Sequence, residues 1–223
     1  MNFKVNAIIP AGGTSSRFGN KNKLLEKIYG TEVIKYTINA FESSNIDEII
    51  ICANKTIIEE LTRIFKDSPK VKIIEGGQTR QASVYNGLHA CECDYVLIHD
   101  GARPMITTEL INRAIEMVKE KKALTVATKT IDTIKEVVDG KIVRTIDRSK
   151  LYNTQTPQAF EYKLIKEAHE KLYGQNFTDD AGMLEELGET VYILDGSYKN
   201  IKITTQNDID IAAIYLEKNK VLE

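Results

Sequence analysis

The chain has 223 residues, 42% of them hydrophobic and 28% charged, which suits one α/β domain with a sizeable core. Lys+Arg 30 against Asp+Glu 32 gives a formal net charge of −2, so no basic surplus exists to drive nucleic-acid binding. The apolar runs are strand-sized, too short to cross a bilayer, and Met1–Pro10 lacks the parts of a signal peptide, so a cytoplasmic protein without a membrane or nucleic-acid partner is expected.

Val5–Pro10 reads as a first strand, apolar throughout as in strands covered on both faces of a parallel sheet. It leads into Pro10-Ala11-Gly12-Gly13-Thr14-Ser15-Ser16-Arg17-Phe18-Gly19, continuing to Lys23. Paired glycines after a buried strand let the backbone approach a ligand and turn N–H groups toward a phosphate or base edge. Arg17 and Lys23 add fixed positive charge. At a triphosphate attacked on its α-phosphorus, such cations stabilise the transition state more than the ground state. The loop is neither a Walker A, since no Gly-Lys-Ser/Thr follows, nor the dinucleotide fingerprint, whose glycine spacing differs. A plain glycine turn with solvated Arg and Lys is the alternative.

Ile34, Thr37, Ile38 and Phe41 then share one helical face, as do Ile57/Ile58, Leu61 and Ile64/Phe65, and also Leu110/Ile111, Ala114/Ile115 and Val118. Between these lie strand patterns at Glu48–Cys52, Val71–Glu75, Tyr95–His99 and Leu124–Thr128. Such alternation predicts right-handed crossovers and an open, mostly parallel sheet with helices on both faces, whose ligands collect beyond the carboxyl ends of the strands. Two further loops fall there. Glu75-Gly76-Gly77-Gln78-Thr79-Arg80-Gln81-Ala82-Ser83 offers two more glycines, with Ser83 in the first turn of a helix where it would meet a base. Asp100-Gly101-Ala102-Arg103-Pro104 offers a carboxylate for a ribose hydroxyl or Mg²⁺ and an arginine for a phosphate, although Asp100 also suits a simple turn. His99 reads as packed. Cys52, Cys91 and Cys93 lack a second pair or histidine cluster and read as free thiols.

Thr133–Val138 and Lys141–Ile146, joined by Asp139-Gly140, read as a β-hairpin with a type I′ turn. A lone hairpin is marginal and needs a surface, either its own domain or a second subunit. Asp147-Arg148 follows, and Pro157 makes Thr154–Gln158 extended. Helical patterns cover Tyr162–Tyr173 and Thr178–Leu187, the latter with a cap and acidic first turn at Thr178-Asp179-Asp180-Ala181. Strands at Val191–Leu194 and Asn200–Thr204 precede a closing helix from Asn207. No linker divides the chain, so 1–223 is expected to be a single domain carrying an arm at about 133–148.

Seven of these motifs occur in order: Pro10–Arg17 with Asn22-Lys23-Leu24, Glu75–Ser83, His99–Pro104, Asp147-Arg148, Gln155–Phe160, Thr178–Ala181 and Gly196–Lys202. Together, from about Val5 to Leu216, they resemble the 2-C-methyl-D-erythritol 4-phosphate cytidylyltransferase family. The resemblance implies a Rossmann-like nucleotidyltransferase sheet with a projecting β-hairpin arm. It implies transfer of CMP from CTP to the sugar-alcohol phosphate, releasing pyrophosphate, by direct attack of the substrate phosphate. Mg²⁺, or another divalent cation, is implied as held mainly by the CTP phosphates, with Asp100 a possible ligand. Pro10, Ala11, Gly12 and Gly13, with Gly76, Gly77, Ser83 and Asp100, would bind the nucleotide. Arg17 and Lys23 match the catalytic cations that stabilise the pentavalent transition state. Arg103, Thr156, Thr178 and Lys202 match the acceptor pocket, and Arg148 matches an arginine supplied by the partner of a homodimer joined through the arm. Two departures stand out. Gly12 replaces a frequent alanine, and Gln78-Thr79 replaces a commoner acidic pair.

Two rivals remain. A ribitol 5-phosphate cytidylyltransferase shares the chemistry, and Ala11-Gly12-Gly13-Thr14 leans that way, whereas Asp100–Arg103, Arg80–Ser83 and Thr178–Ala181 fit the methylerythritol family better. A non-catalytic nucleotide-binding module on the same fold is the rival from another class, opposed by Arg17, Lys23 and Arg148 together. At this length a fused second enzyme is not expected.

Overall fold

The computed structural model describes residues 3–12 and 22–220. In chain order β1 (Val5–Ala11) is followed by a short ladder of β2 (Lys27–Ile28) and β3 (Thr31–Glu32), then α1 (Val33–Glu42), β4 (Glu48–Ala53), α2 (Ile58–Ile64) and β5 (Val71–Glu75). Next come α3 (Arg80–His89), β6 (Tyr95–Ile98), α4 (Thr108–Lys121) and β7 (Ala123–Lys129), then the hairpin β8 (Lys135–Val138) and β9 (Lys141–Thr145). β10 (Tyr152–Glu161), α5 (Tyr162–Lys171), α6 (Asp180–Glu186), β11 (Tyr192–Asp195) and α7 (Gln206–Lys220) complete the fold.

Seven strands form one sheet in the order β11-β7-β10-β6-β1-β4-β5. β1 is flanked by parallel neighbours, β4 and β6, which explains why its side chains are apolar on both faces. Alternation along it divides the core. Ala7 and Ile9 face a cluster containing Ile34 and Phe41 of α1, Leu61 of α2, Ile111 and Ile115 of α4 and Ala212 of α7. Ile8 faces a second cluster with Val84 and Leu88 of α3, Ile165 of α5 and Met183 of α6. The chain leaves β1 for β4 on one side and returns at β6 on the other. The carboxyl ends of β1 and β6 therefore meet at a topological switch point, the place where open α/β sheets bind ligands.

The structure corrects two readings. β10 is a central strand, antiparallel to both β6 and β7, whereas the sequence suggested only an extended segment. Pro157 sits where the pairing with β7 shifts register between Thr154 and Gln158, an irregularity that accommodates the missing N–H. Asn200–Thr204 is not a strand. Its alternation arises because Ile203 is fully buried and donates its backbone N–H to Ala102 O at 2.8 Å, while Lys202 points the other way, toward Asp100.

The hairpin forms as expected, with Asp139 at φ 50° and Gly140 at φ 76° in the turn. It stands as its own two-stranded sheet, and Val137, Val138, Ile142 and Val143 are exposed on it.

Candidate active site

Three strand ends build the site. β1 delivers Gly12, whose carbonyl accepts from Asn54 Nδ2 at 3.2 Å. β5 delivers Gly76-Gly77, and helix α3 closes on them. A Cβ on Gly12 would lie 2.7 Å from Ser83 Oγ, and one on Gly77 would lie 2.4 Å from Ala82 Cβ. Gly77 is therefore required by its packing on the α3 backbone, whereas a side chain at Gly12 would need the Ser83 hydroxyl to shift. The Ser83 hydroxyl accepts from Gly77 N–H at 3.0 Å and donates to Thr79 O at 2.9 Å. Ser83 is fully buried, so it reaches the site through the loop it fastens and not through a free hydroxyl.

β6 ends at Ile98, His99 follows it, and the next residue is the centre of the cluster. Asp100 is 8% exposed and receives three cations: Arg80 Nε at 3.1 Å on Oδ1, Lys202 Nζ at 2.9 Å and Arg103 Nε at 3.5 Å on Oδ2. Burial alone would raise its pKa, but Arg80, Lys202 and Arg103 outweigh burial and hold the carboxyl well below the usual carboxylate range. Its N–H donates to Thr156 Oγ1 at 3.1 Å, and that hydroxyl also lies 3.0 Å from His99 Nδ1. Burial pushes His99 down to about 3, so the ring is neutral and packed, tilted 5.1 Å from Phe41. Arg103 Nη1 donates to Asn200 O and Lys23 Nζ to Ile203 O, each at 2.8 Å. The irregular 200–203 segment thus places Lys202 and braces Lys23 and Arg103.

Two cavities meet at this cluster. One, of about 120 Å³, is bordered by Pro10, Ala11, Gly12 and Lys23. The other, of about 250 Å³, is bordered by Arg103, Thr156, Thr178 and Asp179. Arg80, Asp100 and Lys202 are common to both, forming the wall between them. The structure thus brings together most of the residues singled out in the sequence, with Gly76, Gly77 and Ser83 supporting the first cavity from behind. Arg148 is not brought in. It stands at the base of the arm, exposed, with its guanidinium donating to Ile131 O. Gly13 and Arg17 lie outside the described residues. For a metal, Asp100 is a poor ligand because both its oxygens carry cations, and among the described residues no group of three His, Cys, Asp or Glu side chains is placed to hold one. Cys52, Cys91 and Cys93 are free.

Sequence reasoning passed over Arg80 and Asp180. Arg80 opens α3, and its Nη1 pairs with Asp180 Oδ2 at 2.8 Å. A signal existed: a cation in the first turn of a helix with no acidic residue there opposes the helix dipole and needs another reason. Asp180 was read with Thr178–Ala181 as helix capping. The cap is Asp179, whose side chain accepts from Gly182 N–H, while Asp180 is buried.

A switch-point cleft in a mostly parallel sheet, divided into two cation-lined cavities, defines an α/β nucleotidyltransferase. The profile of the 2-C-methyl-D-erythritol 4-phosphate cytidylyltransferase family matches residues 5–218. The chain belongs to that family and is an enzyme of the nucleotidyltransferase class. It is 43% identical to the 2-C-methyl-D-erythritol 4-phosphate cytidylyltransferase of Clostridioides difficile, over 96% of this chain and 94% of the relative. The enzyme of that name from Bacillus licheniformis is 40% identical over 99% and 98%. In structure the chain is similar to the 4-diphosphocytidyl-2C-methyl-D-erythritol synthase of Anaerococcus prevotii, with a TM-score of 0.86, 34% identity and 96% of each chain covered. No helix among the described residues is long and apolar enough to cross a membrane.

Proposed function

We propose that this enzyme carries out the transfer for which its family is named, moving CMP from CTP to 2-C-methyl-D-erythritol 4-phosphate. A phosphate oxygen of the acceptor attacks the α-phosphorus, the bond to the β-phosphate breaks, and pyrophosphate leaves. No covalent enzyme intermediate is needed, so catalysis is positioning plus electrostatics. The observation that carries this reading is the shared wall: two cavities that are both lined by Arg80, Asp100 and Lys202 suit a donor and an acceptor held side by side.

In this reading Pro10, Ala11, Gly12 and Gly13 receive the nucleotide, with Gly76 and Gly77 fixed behind them by Ser83. Lys23 and Arg17 meet the triphosphate and stabilise charge on the equatorial oxygens. Asp100 orients the ribose end, and Arg103, Thr156, Thr178 and Lys202 take the acceptor. A divalent cation such as Mg²⁺ arrives on the CTP phosphates as part of the substrate, which is supported by the engagement of both Asp100 oxygens with cations. Residues 1–223 act as a single domain, read as cytoplasmic. The apolar face of the arm, with Val137 and Ile142 exposed, supports a homodimer in which Arg148 reaches the partner's acceptor cavity.

The test is a product assay. Purified protein is given CTP, Mg²⁺ and either 2-C-methyl-D-erythritol 4-phosphate or ribitol 5-phosphate, and pyrophosphate release and the cytidine-diphosphate product are followed. Product with the first acceptor is expected. CTP consumption with ribitol 5-phosphate alone would overturn the assignment.

A further inference from the structure

Arg80 borders both substrate cavities and also a third, of about 110 Å³, between the start of α3 and the start of α6. Its guanidinium engages two carboxylates on different segments, Asp100 through Nε at 3.1 Å and Asp180 through Nη1 at 2.8 Å. Asp180 is 1% exposed and fully committed. Its Oδ1 meets His169 Nε2 at 3.0 Å, and its N–H donates to Gln158 Oε1 at 2.9 Å. Gln158 in turn donates to Thr125 Oγ1 at 2.9 Å and to Asp179 Oδ2 at 2.8 Å. The network runs from the end of β6 through α3 to the start of α6, and is anchored on α5, β7 and β10.

We infer that Arg80 is a positioning residue for the transfer, joining the Asp100 wall to the start of α6 and so fixing Thr178 and Asp179 in the acceptor cavity. Among the described residues no other ion pair links Asp100 to α6. The two ends differ in what remains without Arg80. Asp100 keeps Lys202 and Arg103, whereas among the described residues Asp180 keeps only the contact of its carboxylate with the His169 ring. Loosening therefore falls on the acceptor side. Arginine is needed because its planar fork presents two edges to two carboxylates in fixed geometry, and a lysine ammonium reaches one of them as a point charge.

The inference rests on the proposed acceptor assignment, and the experiment separates the two. Steady-state kinetics are measured for wild type, Arg80→Lys, Asp180→Asn and the double variant, with CTP and 2-C-methyl-D-erythritol 4-phosphate varied in turn. In both single variants the acceptor KM is expected to rise about tenfold while the CTP KM moves by less than about threefold. The double variant is expected to be little worse than Arg80→Lys, because both changes break one link. If the two KM values rise together, or neither moves while the folded fraction falls, the positioning role is refuted. A rise in the CTP KM alone would make Arg80 a direct nucleotide contact, which also overturns it. Should Arg80→Lys fail to fold, the KM split in Asp180→Asn decides. A wild type inactive with this acceptor would count against the function, whereas an active wild type with unsplit variants counts against Arg80.

Discussion

Replacing Asp100 by Asn removes one charge and almost no volume, so its effect reports what the carboxylate does for the three cations around it. Arg80 retains Asp180, and the Lys202 side chain, 39% exposed, is free to turn to water. Arg103, with a side chain only 11% exposed, loses its one carboxylate partner among the described residues and keeps a backbone acceptor, Asn200 O. Leaving a buried charge without its partner costs about 3–5 kcal/mol. With two of the three cations able to compensate, the low end applies, about 3 kcal/mol. For a chain of this size that lowers the melting temperature by about 6–12 °C, at roughly 2–4 °C per kcal/mol. Thermal melts of wild type and Asp100→Asn at pH 7 measure it. The pH dependence gives a second reading. The folded carboxyl titrates below its unfolded value of about 3.9, so its contribution is complete above that pH and is lost as pH falls toward the folded value. The gap between wild type and variant should therefore narrow below about pH 4 and stay constant from there to neutrality. A variant melting within about 2 °C of wild type at pH 7, or a gap that ignores acid, would refute this account of the cluster.

Lys23→Ala should lower kcat about 10²-fold or more, the scale of one transition-state electrostatic contact, with less effect on CTP binding; a near-wild-type rate in a stopped assay would remove Lys23 from the chemistry. Gly77→Ala would place its Cβ 2.7 Å from the backbone carbon of Ala82, so the loop must move, and the CTP KM should rise while the acceptor KM holds. On the arm, Ile142→Lys puts a charge on an exposed apolar face and should shift light-scattering mass from dimer to monomer, with the acceptor KM rising as Arg148 is withdrawn; an unchanged mass would exclude the arm as the interface.

Strands β1, β4, β6 and β7 were legible because burial on both faces writes itself as near-continuous apolar runs, and the helices between them because one apolar stripe repeats every three or four residues. β10 escaped for a physical reason. Its buried stretch contains Gln155, Thr156, Pro157 and Gln158, polar or strand-breaking by composition. Those polar groups are neutralised only by the tertiary fold, Gln158 on Thr125 and Asp179, Gln155 on Ser197 O. The reverse error came at Asn200–Thr204, where β-branched residues at alternate positions imitate a strand but anchor a loop. At the site, the sequence pointed to the glycines, Asp100 and Lys202 through their places after strands or in ordered motifs. It could not show that Gly12 packs on Ser83 and Gly77 on Ala82, or that Arg80 and Asp180, distant by 100 residues, form one ion pair. Contacts of that range leave no periodic trace.

A site for two phosphorylated substrates must hold its cations in place before either arrives, since reorienting them during the reaction would forfeit much of their effect. Unbalanced, Arg80, Arg103 and Lys202 would repel one another in a partly dry cleft. Asp100 and Asp180 answer that by acting as internal counter-ions, and their low folded pKa values keep them charged at any physiological pH. The two arginines are thereby fixed in direction, Arg80 by both carboxylates and Arg103 by Asp100 and the Asn200 carbonyl. Lys202 and Lys23 are partly buried and border the first cavity, and in the proposed function an incoming phosphate would compete with Asp100 and with the Ile203 carbonyl for their ammonium groups. In the proposed function the arginines, each tied to a carboxylate, set the geometry of the wall, and the lysines supply the charge that a substrate recruits.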